Sequence, residues 1–154
     1  MGPIGAMLSA QMDRQWAQLE ACLAGLDEAT ASRGDGVLVP KRLLAHIVET
    51  VDFYVAPAPD QYAWGDTLPD WEGAELSAFP DLAAYRGYLA AVGERVRGWF
   101  AAHDDEALLG ANPFPWTGAN QAERMVYVMR HTAQHLGEIN ALLRQWDVAR
   151  VPWR

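Results

Sequence analysis

The chain is poor in cysteine and in lysine, and the first shortage excludes whole classes of protein. Cys22 is the only cysteine among 154 residues, so an internal disulfide and a cysteine-based zinc knuckle are both excluded. A lone thiol agrees with a reducing compartment, and we expect a cytoplasmic protein. Lysine occurs once, at Lys41, against 11 arginines. Because arginine codons are mostly rich in G and C, this bias favours a GC-rich bacterial genome.

Positive charge is scarce as well. Acidic residues outnumber basic residues by 20 to 12, which gives a formal net charge of −8. Such a chain lacks the positive field that dominates binding to phosphate backbones, so we expect no nucleic-acid partner and no anionic membrane surface. The sequence has no apolar run of about 18 residues, the length of a membrane-spanning helix, and no basic segment followed by an apolar stretch at its start.

Internal repeats and low-complexity segments are also absent, and the length is that of one ordinary domain. Hydrophobic residues make up 51% of the chain and charged residues 21%, which is typical of a globular protein. A chain of this size buries about two thirds of its unfolded surface and needs no metal merely to fold. We therefore expect a single domain over residues 1–154.

Four amphipathic helical patterns are present, without any alternating strand pattern. Apolar residues recur at steps of three and four in residues 6–31, 40–55, 80–103 and 120–146. At the start of the last pattern, Asn120 and Glu123 have the spacing of a capping box. Four long amphipathic helices predict an all-α fold, an up-down four-helix bundle.

The second and third connections, residues 56–79 and 104–119, are long and rich in proline and aromatic residues. Loops of this length are usually functional or disordered, and their aromatic content favours packed loops. Four of the aromatic residues are candidates to wall a small-molecule pocket, and anchoring of the loops is an equally good explanation for them: Trp64, Trp71, Phe114 and Trp116.

Three of the four histidines occupy inward positions of the predicted helices. His131 and His135 are four residues apart on the fourth helix, so their imidazoles lie on one face and can converge. His46 lies among apolar neighbours on the second helix, which can face the fourth across a bundle. Three neutral imidazoles suit Zn²⁺, Ni²⁺ or Fe²⁺ and leave a position for water or substrate. The alternative is a set of hydrogen-bonded core histidines without a metal.

Two carboxylates have the spacing to reach this cluster. Glu138 follows His135 by three residues, and Glu49 follows His46 by three. Each is a candidate acceptor for an imidazole N–H, a general base for bound water, or a fourth ligand. The alternative for each is a solvated carboxylate paired with an arginine.

Three other residues bear on the location and the chemistry of this site. Tyr127, four residues before His131, is a candidate to point at the site. Thr132 stands where a zincin carries its glutamate, so peptidase chemistry of that kind loses its base. His103 lies at the end of the third helix, where a cation complements the helix dipole, and we expect it not to be a ligand.

The last helix, together with the histidine on the second, resembles the DinB-like (YfiT-like) superfamily. The HxxxH of residues 131–135 is followed by Gly137, Glu138 and Ile139, which matches the family pattern of a small residue, Gln or Glu, and a branched apolar residue. With His46 in place, the resemblance extends over nearly the whole chain.

The resemblance implies an up-down-down-up bundle in which residues 56–79 are a long crossover between the second and third helices. It also implies a divalent metal, zinc or nickel, held by His46, His131 and His135, and a homodimer. Characterised members of the family are similar to metal-dependent transferases that use low-molecular-weight thiols.

We therefore expect a metal-dependent thiol transferase or hydrolase that acts on a small electrophilic molecule. Its candidate catalytic residues are Glu138 and Glu49, and Arg130 and Arg144 are candidates to bind the carboxylates of a thiol cofactor. A non-catalytic metal-binding module of the stress response is the first alternative, and turnover of an electrophile with added thiols would distinguish it. A purely structural bundle is the second, and metal analysis would distinguish that one.

Overall fold

A computed structural model describes residues 1–150 of the chain, and this part is all-helical without a β-strand. The helices are α1 (Pro3–Gly25), α2 (Glu28–Ala31), α3 (Pro40–Val55), α4 (Leu82–Ala102), α5 (Asp105–Leu109) and α6 (Gln121–Gln145). Short 3₁₀ turns occur at Pro59–Gln61, Leu76–Ala78 and Pro115–Thr117. No helix within residues 1–150 is both long and apolar enough to cross a bilayer. The all-α prediction is confirmed.

The four long helices bury the apolar stripes that the sequence predicts. In α1, for example, Leu8, Met12 and Leu19 are all buried in the common core. The first helix nevertheless ends earlier than the predicted residue 31. Asp27 follows the end of α1 and begins α2, because its carboxylate accepts a hydrogen bond from the Thr30 N–H at 2.7 Å.

Helices α3 and α4 run in the same direction. Tyr85, near the start of α4, donates its hydroxyl proton to the carbonyl oxygen of Lys41 at the start of α3, at 2.8 Å. Further along both helices, Arg95 pairs with Asp52. Two consecutive helices that run parallel need a long return, which residues 56–79 supply.

Helices α1 and α6 run opposite to this pair. The Asp105 carboxylate of α5 accepts hydrogen bonds from the Ile4 and Gly5 N–H groups, so α1 begins where α4 ends. The α6 helix is antiparallel to α3, since His46 meets His131 while Tyr54 meets the earlier residue Tyr127. The order is therefore up-down-down-up.

The crossover is held against α3 by two hydrogen bonds. The Glu49 carboxylate accepts from the Gly65 N–H at 2.9 Å, and Arg42 donates to the carbonyl oxygen of Trp71 at 2.9 Å. These bonds fix the path of the crossover and bring the Trp71 side chain to the face of α3 that carries His46.

Candidate metal centre

Three histidines from α3 and α6 converge on one point between the two helices. The Nε2 atoms of His46 and His131 lie 3.0 Å apart, and those of His131 and His135 lie 3.2 Å apart. One ring nitrogen from each residue lies within 4.8 Å of the others, in a group that can hold a metal ion. The structure thus brings together the three histidines that the sequence singled out.

The spacing of these nitrogens fits a divalent metal. At zinc–nitrogen distances of about 2.0–2.1 Å, neighbouring ligands of a tetrahedral ion lie about 3.3–3.4 Å apart. The separations of 3.0 Å and 3.2 Å are close to this value. The widest separation, at no more than 4.8 Å, leaves the group slightly open.

The outer ring nitrogens determine where the imidazole protons lie. Glu138 Oε2 is 2.7 Å from His135 Nδ1, and because a carboxylate only accepts, Nδ1 carries the proton. His135 Nε2 then presents a lone pair to the centre. Thr50 Oγ1 lies 3.4 Å from His46 Nδ1, and because a hydroxyl both donates and accepts, this contact is compatible with either tautomer of His46. His131 Nδ1 is buried and has no hydrogen-bond partner among residues 1–150.

Burial keeps two of the imidazoles neutral. Burial, together with the smaller effects of the neighbouring His131 and His135, lowers the pKa of His46 to about 3. Burial, followed by the effect of His135, lowers the pKa of His131 to about 4, although Glu138 acts in the opposite direction. Neutral imidazole is the form that binds metal, so at neutral pH these two rings offer their lone pairs without first losing a proton.

Trp71 covers one side of the centre. Its ring is stacked on His46, with centroids 4.0 Å apart and an interplanar angle of 24°, and lies 6.1 Å from His135. Because the indole occupies this side, it shields His46 from water.

The other predicted pocket aromatics lie elsewhere. Phe114 is buried against Phe53, at 5.0 Å between centroids, and Trp64 packs on Phe53 at 4.7 Å with half of its surface exposed. Trp116 donates its indole N–H to the Tyr54 hydroxyl at 2.9 Å. Their contacts are those of loop anchors.

The two predicted catalytic carboxylates have different surroundings. Glu138 is bonded to His135 and lies at the site, as the helical spacing predicted. Glu49 is buried beside the crossover, where it accepts from Gly65, and burial raises its pKa. Its catalytic role stays a prediction, because its carboxylate bonds to the crossover backbone and not to the histidines.

His103 lies away from the centre, where α4 ends. Its Nδ1 is 2.6 Å from the carbonyl oxygen of Trp99, and its ring stacks on the Trp99 indole at 4.0 Å. The ring therefore caps the end of α4, and His103 is not part of the histidine group.

A surface depression of about 450 Å³ adjoins the centre at His131. It is lined by Tyr127, Arg130, His131, Ala133 and Gln134. Arg130 is exposed at this opening, whereas Arg144 is exposed in the last turn of α6. Of the two predicted cofactor-binding arginines, Arg130 thus lies at the mouth of the site.

Sequence reasoning missed two supporting residues. Thr50 follows His46 by four residues on α3 and contacts it, so the helical spacing could have predicted this contact. Arg42 orients the crossover through the carbonyl oxygen of Trp71, and no spacing rule indicates a contact between a helix and a distant loop.

Comparison with known proteins agrees with this architecture. A family model of the DinB superfamily matches residues 11–139, a segment that includes all three histidines and Glu138. No curated protein and no solved structure gives a significant match. The family match covers most of the sequence, and the helical bundle and the histidine group are in keeping with it; the chain belongs to the DinB superfamily.

Proposed function

We propose that this protein binds one divalent metal through His46, His131 and His135 and is a metal-dependent thiol transferase or hydrolase acting on a small electrophile. The observation that carries the proposal is the convergence of three imidazole nitrogens, one of them held as a lone-pair donor by Glu138. A metal in this position supplies a Lewis acid that lowers the pKa of a thiol or a water molecule toward neutrality.

The surrounding residues orient the ligands. Glu138 holds the proton on His135 Nδ1, which keeps Nε2 free of hydrogen and fixes the ring plane. Thr50 contacts His46 Nδ1 from the next turn of α3 and so helps to hold the plane of that ring. Trp71 excludes water from the outer face of His46, and the low polarity of that face strengthens interactions at the centre.

A substrate would approach through the depression beside His131. Arg130 at its mouth is the nearest candidate to pair with an acidic group on the thiol or on the electrophile. Zinc and nickel are the metals we propose, because three imidazoles suit both.

A non-catalytic metal-binding role is the second candidate, and the carboxylates favour it. Glu138 accepts from His135, and Glu49 accepts from Gly65, so each predicted base already holds a hydrogen bond. A module that binds metal only for stability or sensing needs no free base.

The test is metal analysis followed by turnover. Protein stripped with a chelator and reloaded with zinc or nickel should hold one equivalent per chain. It should then accelerate the reaction of monochlorobimane with one of a series of low-molecular-weight thiols, or the hydrolysis of a small ester.

Variants of the histidines separate the two candidates. His131→Ala should lose both metal and turnover, whereas the matched variant His103→Ala should keep both. Full metal loading without any turnover would favour the non-catalytic role, and failure to load metal at all would refute the proposal.

A further inference from the structure

A row of polar side chains lies between α3 and α6, and it extends from the three histidines toward the loop before α6. The α3 helix carries polar side chains at intervals of four residues, and α6 does the same in the opposite direction: His46, Thr50 and Tyr54 on α3, and Tyr127, His131 and His135 on α6. The next pair beyond the histidines is Tyr54 and Tyr127, with ring centroids 5.3 Å apart.

Trp116 determines the direction of hydrogen bonding in this pair. Its indole N–H lies 2.9 Å from the Tyr54 hydroxyl oxygen. An indole N–H is a donor only, so the Tyr54 oxygen must accept. The hydroxyl proton of Tyr54 is therefore directed to another group.

Tyr127 is the neighbour placed to receive it, because its ring lies edge-on to that of Tyr54 with the centroids 5.3 Å apart. Tyr54 is buried, and burial raises the pKa of its hydroxyl to about 12. The interaction of the Tyr54 hydroxyl with that of Tyr127 also raises this pKa, whereas the hydrogen bond from Trp116 acts to lower it. A Tyr127 oxygen that accepts from Tyr54 keeps its own proton available for a third partner.

That third partner would lie in the depression beside His131. Tyr127 lines it, and its ring is stacked along His131 with 6.2 Å between centroids. Arg130 and Gln134 line the same depression and add further N–H donors, and no carboxylate is among the lining residues. Within residues 1–150, Arg130 forms no ion pair. In a chain of net charge −8, this opening is unusually rich in donors.

We infer that Tyr127 is a substrate-binding residue that donates a hydrogen bond to a carboxylate of the substrate, that Arg130 pairs with the same carboxylate, and that Tyr54 and Trp116 position Tyr127. The inference rests on the proposed function, because the depression adjoins His131. It adds the chemical class of the substrate and the residues that select it.

Acetate is a probe for this site that does not require metal. Titrated into chelator-treated protein, it should shift the backbone amide resonances of Ala133 and Gln134 with saturation. Tyr127→Phe should weaken acetate binding about 10-fold, because a hydrogen bond to a charged group is lost. Arg130→Gln should weaken it by a similar factor.

Trp116→Phe keeps an aromatic ring but removes the donor. It should weaken acetate binding by the folded protein about 3-fold, whereas a merely structural role would lower the melting temperature and leave the acetate affinity of the folded protein unchanged. Tyr88→Phe, on α4, is the matched control and should leave acetate binding unchanged. No saturable shift in the unmodified protein, or equal acetate affinity in Tyr127→Phe, would overturn the inference.

Metal content measured on the same samples keeps the two claims apart. Metal binding without acetate binding refutes this inference alone, and acetate binding without metal binding refutes the proposed function alone. If the recognised carboxylate belongs to the thiol, zinc-loaded protein should bind mercaptoacetate at least 10-fold more tightly than 2-mercaptoethanol, and Tyr127→Phe should remove this preference. If the carboxylate belongs to the electrophile, the two thiols should bind equally well, and acetate should bind beside either of them.

Discussion

Glu138 acts through His135, and its removal should weaken metal binding without abolishing it. Its carboxylate lies 2.7 Å from His135 Nδ1 and fixes both the tautomer and the plane of the ring. Loss of such an outer partner typically lowers metal affinity by about 10- to 100-fold, or about 1.4–2.7 kcal/mol. Because the Glu138 side chain is 34% exposed and water can replace part of the bond, we expect about 10-fold for Glu138→Gln. Glu138→Ala should approach the upper value.

The assay is competition for zinc against a chromophoric chelator at pH 7.5. Glu94→Gln is a matched control, since Glu94 pairs with Arg97 at the same spacing of three residues on the exposed surface of α4. It should leave zinc affinity unchanged. Unaltered affinity in both Glu138 variants would refute the role of the carboxylate, and complete loss in Glu138→Ala would make it a direct ligand.

Three further outcomes follow from the surroundings of single side chains. His103→Ala should leave metal content unchanged because its ring caps α4, and metal loss equal to that of His131→Ala would show that the site is misplaced. The metal-free protein should lose stability on acidification, since burial lowers the pKa of His46 to about 3 and of His131 to about 4, below the ordinary value of about 6.5. Below about pH 6.5 the unfolded chain binds more protons than the folded chain, so the free energy of unfolding decreases as the pH falls toward 4. The decrease is at most about 1.4 kcal/mol per pH unit for each ring, and above about pH 6.5 there is none. Urea unfolding with chelator at pH 7 and pH 5 measures this, and equal free energies of unfolding would contradict it. Finally, Arg124 is buried with Nε and Nη1 unbonded within residues 1–150, and burial lowers its pKa to about 10. Its other interactions are a hydrogen bond from Nη2 to Gln121 and contacts of the guanidinium with the Trp99 and Phe114 rings, and a methionine side chain can replace part of that packing. Arg124→Met should therefore destabilise the fold by less than about 2 kcal/mol, and a larger loss in urea unfolding would show that the cation is needed.

The helices were predictable because burial imposes a period on the sequence. The stripe of Leu8, Met12 and Leu19 is buried as its spacing requires. The end of α1 was not predicted, because the apolar pattern continues through Leu26, which is buried although the helix has ended. Local capping by Asp27 decides that boundary, and a periodicity argument does not detect it.

The same distinction applies to the site. His131, His135 and Glu138 lie on one helix, where a spacing of three or four residues determines which side chains meet. Glu49 has that spacing from His46, yet its carboxylate is bonded to Gly65 of the crossover. The contacts of the crossover depend on the path of a long loop, and no periodic pattern in the sequence indicates that path.

X-ray absorption on protein loaded with one equivalent of zinc tests the central claim most directly. The three-histidine centre predicts scattering from three imidazoles with nitrogens about 2.0–2.1 Å from the metal. It also predicts that His131→Ala no longer retains the zinc. A spectrum that shows one imidazole or none, with oxygen ligands in their place, would contradict the account.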